Sequence, residues 1–579
     1  MKYDDSPTDT PTDAIDDMLK AKYKKGRMSA REVQAEAATI YAAVPSSSSS
    51  ASSSGQQWAA AAAEGRHPGN ASRDITLQMS KTSTNAHVYS ASIPFWDPVR
   101  SVQIQDDAYF LVPHEVGDKA MEDGQDWSSL PQGHSLNRTL SDWKERNEVE
   151  GDDDIAVVGL WADSATYHTR DSLYLILFNF LSGINRMRFW VSAWSKRHMC
   201  ACGCKGRHTF DAMQEVVNWS MLAWMSGRYP TVRHDGVAFE DSKRPNDKVR
   251  ERWGASRRLM KKRAVVLQQR GDWAILKSIY NLTGWTPEGP SGRVCWKCMA
   301  NTTDHPFTDV SLSASWRATR VTHEIFMHLS ILNSLHVSPI FDLPGFRLEH
   351  VNSDLMHCVC LGIVQYCLGT IIFEVCFGPE MKGLITRPGP VLGEFMALLR
   401  LASHQLDIAC PIGDLTIGMV RKKSGPPKLK TKAAEGRHLV PVVVWVLQNC
   451  FKVEEGHTET RLRCLQNLQW MYEAMAVPAS EWDAKATAKY CRRHIMLWAE
   501  LGLESLQALG HQQTGWVMYR FYPKHHLTLH CVEDQVEVSG CPRESWCYMD
   551  ESSIGDAVHV AEAVHSSTLH RAIIERHRL

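Results

Sequence analysis

Between residues 155 and 272 the chain passes through three apolar stretches, one helical stretch and a fourth apolar stretch, and this order limits the fold more than any other feature. IAVVGLWAD (Ile155 to Asp163) is a short run rich in Val and Ile, which reads as a buried strand. SLYLILFNFL (Ser172 to Leu181) reads as a second strand, and the alternating RMRFWVSAWS (Arg186 to Ser195) as a third. Gly183 and Asn185 supply the turn between those two. HTFDAMQEVVNWSMLAWMSG (His208 to Gly227) has apolar residues at helical spacing and stops on Gly, and RAVVLQQRGD (Arg263 to Asp272) returns to a strand pattern. Three strands with short connections predict an antiparallel meander. RNase H-like folds begin with this order, carrying one carboxylate on the first strand and another at the end of the fourth. Asp163 and Asp272 fall at those two places. The competing reading makes both of them turn residues at strand ends, a common role for Asp.

If the two acids are catalytic, the chemistry is phosphodiester cleavage and strand transfer. Two Mg²⁺ ions would activate the attacking oxygen and stabilise the leaving one. Mg²⁺ takes hard oxygen ligands and keeps waters, so two or three carboxylates converging at strand ends suffice. Each acid can come from a distant part of the chain, so the signal is topological rather than a compact motif.

The segments around the acids carry a resemblance. WADSATYHTRDSLYLILFNFLSG presents an Asp, a polar loop and an apolar strand. RGDWAILKSIYNLTGW ends in Gly284 and Trp285, and Cys295 and Cys298 follow as Cys-x-x-Cys. NSDLMHCVCLGIVQYCLGT holds Asp354, Met356 and His357, then Leu368, Gly369 and Thr370. LKTKAAEGRHLVPVVVW and SGCPRESWCYMDE come later. In this order, from about Ile155 to Glu551, the motifs resemble the catalytic region of CACTA (En/Spm-type) DNA transposases. The chain departs from that pattern at Ser164, where the family usually has Gly. It is about two residues short between Lys430 and Pro441, and no recognisable DNA-binding module precedes the core.

The resemblance implies a DDE/D-type enzyme, or a degenerate relic of one, acting on transposon-end DNA. Asp163, Asp272 and Glu435 would hold Mg²⁺ (or Mn²⁺), with Asp354 as the alternative third acid. On the residues alone, Glu435 is also a helix N-terminal acid favoured by the macrodipole, and Asp354 a helix cap. Cys295 and Cys298 have zinc-ligand spacing. The family's His pair corresponds to His323 and His328, which implies a structural Zn²⁺ at Cys295, Cys298, His323 and His328. MCACGCKGRH offers Cys200, Cys202, Cys204 and His208, either as metal ligands or as a strand-end turn. PKHHLTLH reads as structural.

The net charge of −1 gives no global attraction to nucleic acid, so DNA contact must use local patches. The basic stretch from Lys243 to Arg270 supplies one, and Arg257, Arg258, Lys261, Lys262 and Arg263 lead into the strand ending at Asp272. Its bland reading is a solvated face. The alternative function is a non-catalytic, zinc-stabilised DNA- or protein-binding protein derived from a transposase.

The expected architecture is α/β: an RNase H-like core, a mixed sheet flanked by helices, with a large, mainly helical, zinc-containing insertion. Expected divisions are a disordered low-complexity tail (1–90) holding serine and alanine runs and a short helix near Ala30 to Ala43, then a small ordered segment and acidic linker (91–154). The core's first part (155–285), a Cys/His insertion with helices (286–425) and a helical part completing the core (426–579) follow. MKYDDSPTDT has no apolar run, so no secretory signal is expected. The 16 Cys then read as ligands or buried thiols in a reducing compartment, and the resemblance implies a nuclear one. Leu355 to Cys376 is long enough to span a bilayer, but His357, Gln365 and Glu374 favour a buried helix. Expected partners are DNA, a second copy of the chain or an accessory DNA-binding protein, and no membrane.

Overall fold

A computed structural model describes residues 11–28, 32, 33, 36, 87–122, 130, 134–149, 155–181, 187–244, 246–287, 292–333, 335–377, 391–421, 425–478, 481–509 and 518–578. The fold is mixed α/β. Its strands are β1 (Tyr89–Asp97), β2 (Val102–Phe110), β3 (Ile155–His168), β4 (Asp171–Phe180), β5 (Phe189–Ser195) and β6 (Arg263–Arg270). The helices used below are α1 (Pro11–Lys24), α2 (Ser135–Arg146), α3 (Arg207–Ser226), α4 (Trp273–Tyr280), α5 (His323–Leu332) and α6 (Met356–Phe377). They continue with α7 (Ala433–Cys450), α8 (His457–Ala476), α9 (Ala484–Leu509), α10 (Pro523–Glu533), α11 (Tyr548–Glu562) and α12 (Leu569–Arg578).

The main sheet has the order β5-β4-β3-β6. The first three strands form the antiparallel meander, and β6 returns parallel to β3 after the α3 crossover. Strand β4 is buried along nearly its whole length, as its unbroken apolar run requires of a strand covered on both faces. On one face Ala156, Val158, Ile176, Phe178 and Val266 share a core with Phe210, Val217 and Trp224 of α3 and with the β1–β2 hairpin. On the other, Trp161, Leu175, Leu177 and Trp190 pack against Ile554 and Ala557 of α11 and Ile573 of α12.

Several sequence expectations shift. Helix α1 lies inside the stretch expected to be a disordered tail, with Leu19 and Tyr23 buried and the Arg576 guanidinium 4.3 Å above the Tyr23 ring. The acidic stretch read from the sequence as a linker, Asp142 to Asp154, is helical at its start, because Asp142 belongs to α2, anchored by buried Leu136 and Trp143. The serine and alanine runs, most of Ala30 to Ala43, and the Gly183–Asn185 turn lie outside the described residues. Helix α6 is long and apolar enough to cross a membrane, yet most of it is enclosed by protein. Its first eight residues, Met356–Ile363, are wound as a π-helix, a rare geometry that concentrates at functional sites. Glu374, the acid in its apolar run, is satisfied by His457 Nε2 at 2.7 Å, by Arg461 Nη1 at 3.1 Å and by the Tyr519 hydroxyl.

Candidate metal centres

Strand register brings the two sequence-expected aspartates together. β3 and β6 pair Val158 with Val266, then Gly159 with Gln268, so Leu267 is an extra residue on β6. The last pair is Trp161 with Arg270, and two residues further along each chain come Asp163 and Asp272. Without that irregularity Asp163 would stand beside Gly271, and the acids would be out of step. Asp272 ends the strand and caps α4, its Oδ1 accepting from Ile275 N at 2.6 Å. One carboxylate oxygen therefore does the job of a helix cap while the group faces the site. Asp163 Oδ1 accepts from Ser164 N at 2.6 Å.

A third element arrives along the outer edge of β6. Val351 bridges Gln269 in parallel and Asn352 N donates to Gln269 O at 2.8 Å, which delivers Asp354 and His357 beside Asp272. One ligand atom each of Asp163, Asp272 and His357 lie within 4.8 Å of one another. Helix α11 supplies Glu551, whose Oε1 is 3.6 Å from His357 Nε2 and whose carboxyl group interacts with Asp163.

Burial first, then the charges of Asp272 and Glu551, push the Asp163 carboxyl well above its usual range. Burial likewise raises Glu551, with Asp354 and Asp272 adding to it against His357. For His357, burial opposes the charged ring. The Asp354 hydrogen bond and charge, with Glu551 and Asp163, outweigh it and raise the group to about 9. Crowded acids that resist ionising together form an environment that a cation would relieve.

Of the carboxylates on helices, Glu551 is the one whose charge acts on Asp163; Glu435 and Asp354 are engaged elsewhere. Glu435 turns back on its own helix, its Oε2 accepting from Lys432 N at 2.8 Å as an N-terminal cap of α7. The charges acting on Asp163 are those of Asp272, Glu551 and His357. Asp354 is saturated: Oδ1 accepts from Met356 N and Cys547 N, Oδ2 from His357 N and from His357 Nδ1 at 2.6 Å. It orients His357 and fixes the turn before α11. The sequence signal was present, because the motif SGCPRESWCYMDE ends on Glu551.

Next to Glu551, Asp550 is fully buried and paired with Arg188 and with Arg270 Nη2 at 3.3 Å. Arg270 also donates to Asn179 Oδ1 at 2.6 Å. Its guanidinium passes over Gly159, where an added Cβ would lie 2.3 Å from Nη1. This buried network ties α11 to the sheet.

The basic run does not flank the acids. Arg263 opens β6 opposite Ile155, while Asp272 follows its other end, about 30 Å along the chain at some 3.3 Å per residue. Arg258 lies 3.7 Å from Asp118 and over the Tyr229 ring, and Arg263 Nε donates to Met225 O. Arg257 and Lys261 are exposed and Lys262 is half-buried. The cations beside the acids are instead Lys428 and Lys524. With Trp285, Tyr366 and Tyr522 they line a cleft of about 300 Å³ that includes Asp272, Asp354 and His357.

A second cluster joins Cys295 and Cys298 to His526 and His530, all buried. The two histidines, from PKHHLTLH, are one turn apart on one face of α10. Cys298 Sγ is 3.3 Å from both Nε2 atoms, which are 3.2 Å from each other. Tetrahedral Zn–S and Zn–N bonds imply edges of about 3.3–3.8 Å, so this Cys2His2 set can hold a metal such as zinc. Lys297 N donates to Cys295 Sγ at 3.3 Å, and His530 Nδ1 is 2.5 Å from Asp534 Oδ2, the outer support typical of a ligating His. His323 and His328 are not part of it. His323 Nδ1 accepts from Leu348 N, and His328 is exposed on α5. Cys200, Cys202, Cys204 and His208 form a third group that can hold a metal, between β5 and α3.

No protein-family model and no curated protein matches the chain. Function must therefore be argued from these sites.

Proposed function

We propose that this chain is a transposase-like, metal-dependent polynucleotidyl transferase with an RNase H-like core, cutting and joining DNA through Asp163, Asp272 and Glu551. The observation that carries the reading is the parallel β3–β6 register that sets Asp163 level with Asp272, under a helix bearing Glu551. The strand order and the CACTA-like motifs support it.

The donors suit a divalent cation. Three carboxylates are hard oxygen ligands for Mg²⁺, and the nearby imidazole would also accommodate Mn²⁺. When bound, such ions supply Lewis-acid activation of the attacking oxygen and charge stabilisation of the leaving one. The chain's own residues do the rest. Asp354 holds the His357 ring through Nδ1, leaving Nε2 toward Glu551 and the acids. Lys428 and Lys524 offer positive charge to a phosphate backbone along the cleft, and the stacked Tyr366–Tyr522 pair gives an apolar wall. The buried Cys2His2 set would take structural Zn²⁺ and pin α10 to the loop at Cys295. Nuclear residence, transposon ends as substrate, and self-association or an accessory DNA-binding protein belong to the same proposal.

One observation favours the alternative of a non-catalytic, transposase-derived binding protein. The His357 imidazolium already lies among the acids and neutralises part of their charge. Nicking of labelled DNA with Mg²⁺ or Mn²⁺ separates the two readings. Metal-dependent nicks that Asp163→Ala abolishes are expected of the enzyme. Intact DNA with wild-type protein and either ion would leave only the binding reading.

A further inference from the structure

The loop between β5 and α3 concentrates soft ligands without any task in the acid cluster. Cys200, Cys202, Cys204 and His208 each place one ligand atom within 4.8 Å of the others. His208 Nδ1 is 3.4 Å from Cys202 Sγ and 3.6 Å from Cys200 Sγ. Alternating cysteines on an extended chain would be strung out over about 13 Å between the first and the third. Here the backbone turns left-handed at Gly203 (φ +102), Lys205 (φ +57) and Gly206 (φ +86), and the strip folds back on itself. All four cysteine-loop ligands thereby face one point, and none of the thiols is in a disulfide.

We propose that these residues form a second, independent zinc site of Cys3His type, which clamps the end of β5 to the start of α3. Three thiolates and an imidazole are the donor set that selects zinc over Mg²⁺ or Ca²⁺. Cys202 and His208 are exposed, which gives the ion an entry path, while Cys200 and Cys204 are buried beneath it. The clamp reaches the β1–β2 hairpin as well: Thr209 Oγ1 accepts from Cys200 N at 3.0 Å and donates to Pro94 O at 2.6 Å.

Zinc counting on the full chain tests this without reference to DNA cleavage. Elemental mass spectrometry should give two zinc ions per wild-type chain, and one for Cys202→Ser, a substitution at an exposed side chain. Alkylation mapped by peptide mass spectrometry gives a second reading on the wild-type protein. The Cys202 thiol should be protected in zinc-loaded protein and become reactive after chelation, with a rate increase of roughly tenfold or more. A single zinc that Cys202→Ser retains would overturn the site. So would a Cys202 that alkylates equally fast before and after chelation, or a mass two hydrogens short from a disulfide in this loop.

Discussion

Asp163 serves folding poorly. It is buried, its carboxyl is pushed well above the usual range by burial and by Asp272 and Glu551, and its one backbone partner is Ser164 N. A group in that position costs stability when ionised, as carboxylates at binding sites often do. Asp163→Asn keeps the shape and removes a like charge. Without divalent metal, the variant should be more stable than wild type at pH 7, because burial and the Asp272 and Glu551 charges both oppose the ionised carboxylate. Urea denaturation in the presence of a chelator measures this, and an equal or lower stability would contradict the crowding argument. Asp272 differs because it also caps α4, so its loss carries a helix-cap cost that Asp163 does not.

At the scale of elements, the site depends on α11 being held to the sheet. Arg270 passes over Gly159 to reach Asn179 and Asp550, one residue from Glu551. Gly159→Ala should displace that guanidinium and cost about 1–3 kcal/mol as an overpacked substitution, with nicking activity lost in step. Thermal melting alongside activity tests it; an active, fully stable variant would show that α11 needs no such tie. Helix α12 plays a comparable part on the β5 edge. His577 Nε2 accepts from Trp190 N at 3.1 Å and His570 Nε2 from Ser195 N at 3.2 Å, covering donors that an edge strand would leave open. Burial first, then the nearby His198, lowers His570 from 6.5 to about 3, so the folded state keeps it neutral. The unfolded chain binds a proton there below pH 6.5 and the folded one does not. Stability from this contact is therefore complete above pH 6.5 and declines as the pH falls toward 3. Melting temperatures over that window should fall less steeply in His570→Gln than in wild type; parallel curves would exclude the edge-cover role.

Strands β3 to β6 were legible in the sequence because each run is short, apolar and locally bounded, and Asp163 and Asp272 because one stands on such a run and the other just after one, although β3 continues past Asp163 to His168. The π-wound start of α6 and the extra residue at Leu267 were not, since both are answers to tertiary packing. Across the whole molecule, what decides each site is long-range. Asp163, Asp272, His357 and Glu551 come from four separated segments, and Cys295 meets His526 across more than two hundred residues. No periodicity or local spacing could choose Glu551 over Glu435, or PKHHLTLH over the nearer His323 and His328. Glu435 was the acid that the resemblance implied, and it caps its own helix while the charges acting on Asp163 are those of Asp272, Glu551 and His357. The proposed function requires Asp163, Asp272 and Glu551 to form one divalent-cation site. Mn²⁺ titration calorimetry on wild type, Glu551→Gln and Glu435→Gln tests it most directly. Glu551→Gln should weaken Mn²⁺ binding by roughly tenfold or more while Glu435→Gln binds as wild type does. Undiminished binding by Glu551→Gln, with loss in Glu435→Gln, would contradict it.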